Sequence, residues 1–91
     1  MKEYLCNINL FNLTQSIFVR DVEENNDFKF LTYCDFDELT DTLADLSSNN
    51  PKSKIYLSNL GKFGFKAFKE LILENIATKY SNTEVEIIEL L

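Results

Sequence analysis

Both glycines of the chain fall in one stretch, Ser58-Asn59-Leu60-Gly61-Lys62-Phe63-Gly64-Phe65-Lys66, between a β-rich run and an apolar pattern of helical period. A strand-to-helix junction of this kind can hold an anion. The first amides of a helix lack internal partners, its dipole favours negative charge, and glycine lets a ligand approach the backbone. Ser58, Asn59, Gly61, Lys62, Gly64 and Lys66 are therefore candidate anion ligands, with Lys69 adding charge nearby. Their spacing matches neither the phosphate loop of nucleotide hydrolases nor the dinucleotide fingerprint. A tight turn flanked by solvated lysines accounts for the same residues.

The acidic residues form a second candidate set. Asp21, Glu23, Asn25 and Asp27 alternate as the ligands in the first half of a calcium loop do, but Asn26 stands where the turn needs glycine and Thr32 where a bidentate glutamate belongs. A polar hairpin loop is the simpler account. Taken with Glu24 and with Asp37, Glu38, Asp41 and Asp45 further on, these side chains offer an acidic surface. On one face, they could occupy the basic nucleic-acid groove of another protein; ordinary solubilising charge is the plainer reading.

What is missing narrows the chemistry. With no histidine, the Ser-His-Asp and Cys-His arrangements, imidazole acid–base work and the usual zinc sites drop out. No residue set requires a metal or a cofactor, and none is expected to be catalytic. The formal charge of −6 disfavours direct nucleic-acid binding, since affinity for a phosphate backbone comes from lysine and arginine displacing counterions. The acidity lies in the first half: residues 1–50 hold three basic and ten acidic side chains, residues 51–91 six lysines and five glutamates.

Ninety-one residues with 45% apolar content suit one domain, 1–91, with one core. No apolar run approaches 18 residues and the start lacks the pattern of a secretory signal, so the expectation is a cytoplasmic protein that does not enter a membrane. Cys6 and Cys34, set among apolar neighbours, are expected to be reduced and packed. Ten Asn, eight Lys, seven Ile and eight Phe beside one Arg and one Pro suggest an A/T-rich gene of bacterial or phage type.

The elements that must position these groups follow from periodicity. Tyr4, Cys6, Ile8 and Leu10 alternate with Asn7 and Asn9, which predicts a half-buried strand over 4–11. Asn12 to Gln15 can turn the chain. β-Rich runs follow at 16–22 and at 28–34, where Phe28, Phe30, Leu31 and Tyr33 stand. Asp35 with Glu38 forms a capping-box pattern, and Cys34 with Leu39 a hydrophobic staple, so a helix should begin near residue 36 with Phe36, Leu39, Leu43 and Leu46 on its apolar face. Ser47 to Pro51 closes it. A short strand at 54–57 leads to a helix over 62–80 carried by Phe65, Phe68, Ile72, Ile76 and Tyr80. A last strand at 84–90, with Glu84, Glu86 and Glu89, has the charge of an edge.

The expected fold is α+β, a mixed five-stranded sheet in the order β-β-β-α-β-α-β, with an antiparallel meander joined to parallel strands by right-handed crossovers. This order resembles the core of the ribonuclease-H-like or actin-like fold. Members of that fold that cleave phosphodiesters need carboxylates on the first strand and at the end of the fourth. Here the corresponding stretches offer Cys6, Asn7 and Asn9, then Ser58 and Asn59.

The expected function is that of a small acidic non-enzymatic binding module, a protein–protein regulator or inhibitor of phage or mobile-element type. Its expected partner is another protein, one with a basic nucleic-acid-binding surface. One alternative is a nucleotide or other small-molecule binder using 58–66. Another is a self-assembling structural protein, and eight phenylalanines leave room for a homodimer.

Overall fold

A computed structural model describes residues 1–24, 27–49, 52–79 and 84–90. The strands are β1 (Lys2–Asn7), β2 (Thr14–Asp21), β3 (Lys29–Asp35), β4 (Lys52–Ser58) and β5 (Glu84–Leu90); the helices are α1 (Leu39–Ser48) and α2 (Gly61–Lys79). They form one mixed sheet in the spatial order β3-β2-β1-β4-β5. β1 and β3 both pair antiparallel with β2, while β4 runs parallel to β1 and β5 parallel to β4. The expected α+β fold and element order are thus present. β5 is an edge strand, as its glutamates implied.

Both crossovers, β3 to α1 to β4 and β4 to α2 to β5, run the same way across the sheet, so one handedness places both helices on one face. The core bears this out. Tyr4, Cys6 and Ile8 of the first strand segment, Ile17 of β2, Ile55 and Leu57 of β4 and Ile87 of β5 meet Leu39, Leu43 and Ala44 of α1 and Ile72 and Ile76 of α2. Each strand contributes one parity of its residues. Phe36 and Phe68 join the helices with ring centroids 5.5 Å apart.

The last carbonyls of α1, which a helix leaves without internal partners, are met from the sheet. Tyr4 donates its hydroxyl to the Leu46 carbonyl at 3.1 Å, and the buried Ser53 donates to that of Ser47 at 3.1 Å. These bonds serve an end whose last turn holds Asp45 and no basic side chain.

Two expectations need correction. β1 ends at Asn7, and Leu10 points to solvent, because the chain turns at Asn9. The capping box does not form. The helix is preceded by a 3-10 turn, Phe36–Glu38, no side chain caps either segment, and the Phe36 amide is spent on the Leu13 carbonyl at 2.8 Å. Phe30 and Tyr33 of β3 lie on the face of the sheet away from the helices, and a register shift between Ile17 and Phe18 sets their pairing. The expected turn at Pro51, the helical Tyr80 and the loop residues Asn25 and Asn26 lie outside the described residues. Among those described, no helix is long and apolar enough to cross a membrane.

Candidate interaction surfaces

Because α1 and α2 share one side, no helix among the described residues covers the other side of the sheet. Its residues line up by register. Phe30 pairs with Phe18, Phe18 with Leu5, Leu5 with Tyr56 and Tyr56 with Ile88, which draws one apolar row across all five strands. Phe18 and Phe30 meet edge to face at 6.0 Å, and Phe30 tilts against Tyr33 at 4.6 Å. Phe30 and Tyr33 are largely exposed.

Beside it runs a second row of alternating charge, Arg20, Glu3, Lys54 and Glu86. Glu3, only 4% exposed, accepts from Arg20 Nε at 2.6 Å and from the Tyr56 hydroxyl at 3.0 Å. Its carboxylate holds the Arg20 guanidinium above its usual pKa, and burial followed by the Glu3 bond raises that of Tyr56. Arg20 also stacks on the Phe28 ring at 4.3 Å, and Phe28 reaches Tyr56 at 6.2 Å. The chain leading into β3 is thereby folded back over the uncovered face.

A different surface forms where β1, β3 and β4 end together. In open α/β sheets, this carboxyl end is where ligands bind, at the point where chain connections diverge. Here β1 turns towards β2 and β4 leads away into α2, with Asn7, Ile8, Asn9, Leu10, Phe11 and Asn59 lining one cleft. Asn7 Oδ1 accepts a hydrogen bond from Ser58 Oγ. The ends of β1 and β4 are thus tied to each other by a paired amide and hydroxyl. Among the described residues, no group of three or more acidic or cysteine side chains is placed to hold a metal ion.

Of the candidate anion ligands, Ser58 closes β4, and Asn59 and Gly61 both take positive φ, 67° and 70°. That conformation is costly for most residues and suits Asn and Gly. The junction is only two residues long. Gly61, Lys62, Gly64 and Lys66 belong to the first turns of α2, with Gly64 close-packed on Leu60. Lys62, Lys66 and Lys69 are exposed along the helix.

The acidic candidates are split. Asp21, Glu23, Glu24 and Asp27 lie at the start of β3, where the Met1 ammonium approaches Asp21 at 4.0 Å and Glu23 at 3.7 Å. Asp37 and Glu38 lie at its far end, and Asp41 and Asp45 follow on the exposed side of α1. They do not make one continuous face.

Sequence reasoning passed over the loop between β1 and β2. Gln15, 2% exposed, accepts from the Asn9 amide at 2.8 Å and donates to the carbonyls of Asn9 at 2.8 Å and Asn12 at 3.0 Å. Asn9 Oδ1 takes the Phe11 amide at 3.0 Å, and the Asn12 amide bonds to the Asn9 carbonyl. A loop held at so many points presents Leu10, Phe11 and Leu13 outward, Phe11 being fully exposed. The only sign in the sequence was two large apolar residues, Phe11 and Leu13, that break the strand period.

No family model matches the chain, and neither a curated protein nor a solved structure matches it.

Proposed function

We propose that this protein is a non-enzymatic binding module that regulates or inhibits another protein, in the manner of small acidic phage and mobile-element proteins. The observation that carries the reading is the uncovered sheet face, with an apolar row spanning five strands and its aromatic end exposed. Soluble domains seldom leave such a patch open unless something docks there. Glu84 and Glu86 on β5 and the acidic Asp21 and Glu23 stand at its margins. A partner with a basic rim around an apolar ridge fits it, such as a protein that otherwise holds nucleic acid. The absence of histidine and the Asn7–Ser58 pairing at the carboxyl-end cleft support binding rather than catalysis.

Affinity capture from the source organism with wild type and with Phe30→Ser/Tyr33→Ser is the test. The expected result is a specific basic partner whose affinity falls at least about tenfold in the double variant, the ~1.4 kcal/mol of losing two exposed aromatic contacts. Equal recovery on both proteins defeats the assignment of the face. The nucleotide-binding alternative rests on the start of α2 and makes its own demand: a nucleotide at about 100 times its dissociation constant must stabilise the fold by about 2.7 kcal/mol. An unchanged melting temperature with phosphate and nucleotides removes it.

A further inference from the structure

The end of the sheet that carries the Phe11 loop is built to meet a copy of itself. We infer that the protein forms a two-fold dimer through this end, with each Phe11 seated in the other copy's cleft.

The components are arranged in a line. On one flank, where β3 leads into α1, Asp35 and Asp37 border a hollow with Leu13 and Phe36. In the middle is the loop, with Phe11 wholly exposed and Leu13 87% exposed. Against it, between the ends of β1 and β4, is the cleft of about 490 Å³ whose wall Phe11 shares with Asn7, Ile8, Asn9, Leu10 and Asn59. On the other flank α2 begins, with Phe63 86% exposed and Lys62 and Lys66 beside it. The order is acid, knob, cleft, base. A two-fold axis along the sheet normal at the end of β1 reverses that order in the second copy. Each knob then faces a cleft and each acidic flank a basic one.

A two-fold interface requires this self-complementarity, with residue i meeting j and j meeting i. A foreign partner would need the same sequence of features by coincidence. None of Asp35, Asp37, Lys62 and Lys66 has an ion-pair partner among the described residues. The loop is also prepared for docking. Gln15 and Asn9 fix its backbone, so little ordering remains to oppose association. Phe11 and Phe63 together can bury roughly 300–500 Å² per copy, a large part of the ~800 Å² per partner of a standard interface. The dimer leaves the uncovered sheet face free, so it stands or falls apart from the function proposed above.

Sedimentation equilibrium from micromolar to sub-millimolar protein is the test. Wild type should pass from 10.6 kDa to twice that mass. Phe11→Ser, at a site with no role in the core, should weaken dimerisation at least about thirtyfold, the ~2 kcal/mol of a hot-spot residue. Lys62→Glu should weaken it by repulsion, and Asp37→Lys/Lys62→Glu should restore it, since both reversed charges again meet opposites. A wild-type chain that stays monomeric throughout overturns the inference. So does a dimer indifferent to Phe11→Ser, or a charge-swapped double variant weaker than Lys62→Glu alone.

Discussion

Leu43→Ala should destabilise the domain by about 3–5 kcal/mol, while Phe11→Ser and Phe63→Ser leave its stability within roughly 0.5 kcal/mol of wild type. The contrast follows from a single-sided core. Leu43 has no exposed surface and sits between sheet and helices with Leu39, Ile72 and Ile55. Removing its branched end costs the transfer energy of the lost methyl groups and leaves a cavity that a rigid sheet cannot collapse. A chain of this length has a total stability of roughly 5–14 kcal/mol, so one such truncation consumes much of it. Among the described residues, no second core on the other side of the sheet shares the load. Phe11 and Phe63, by contrast, protrude into water and contribute nothing to folding. Urea unfolding of the three variants checks this, at protein concentrations below the dimerisation range, because association would itself stabilise the wild type. A loss of 2 kcal/mol or more from either phenylalanine would mean that its ring packs in the fold, and its role in binding would then need another explanation.

The phenylalanines also show how far the sequence could be read. Phe65 and Phe68, at helical spacing with Ile72 and Ile76, are placed against the core as their period implied. Element order was legible because alternation and the three-to-four spacing are local signals. So was the junction at Asn59 and Gly61, where the backbone takes the left-handed conformation that few residues tolerate. The uncovered face was not legible, because a strand with apolar residues on both parities does not say which side a helix will cover. Phe18 and Ile17 look alike in sequence, yet one is half-buried on the uncovered face and the other fully buried under the helices. The clasp at Gln15 was hidden for another reason. A glutamine beside a turn reads as a solvated polar residue, and its burial depends on three backbone partners that only the folded loop brings together. The acidic residues were visible one by one, but their division between the two ends of β3 depends on where the chain reverses.

Cys6 should make the fold sensitive to alkali. Its thiol is fully buried between the sheet and the helices, and burial, with a smaller contribution from Cys34, pushes its pKa up to about 12. In the unfolded chain the same thiol ionises near 8.5. Below that value both states hold the proton and the difference has no effect on stability. Above it the unfolded chain releases a proton that the native protein keeps, so the unfolded state gains and stability falls steadily until the native thiol ionises as well. The full loss is on the order of 5 kcal/mol, and somewhat less than half of it should be visible by about pH 10. Cys34 and Tyr56 are raised in the same direction, so wild type must be compared with Cys6→Ala, which keeps those groups and removes only the buried thiol. Urea midpoints of the two proteins should run parallel from about pH 6 to pH 8 and separate above pH 9, with wild type falling faster. Parallel curves throughout would mean that solvent reaches Cys6, and the tight layer between α1, α2 and the sheet on which both surfaces are built would be looser than the structure shows.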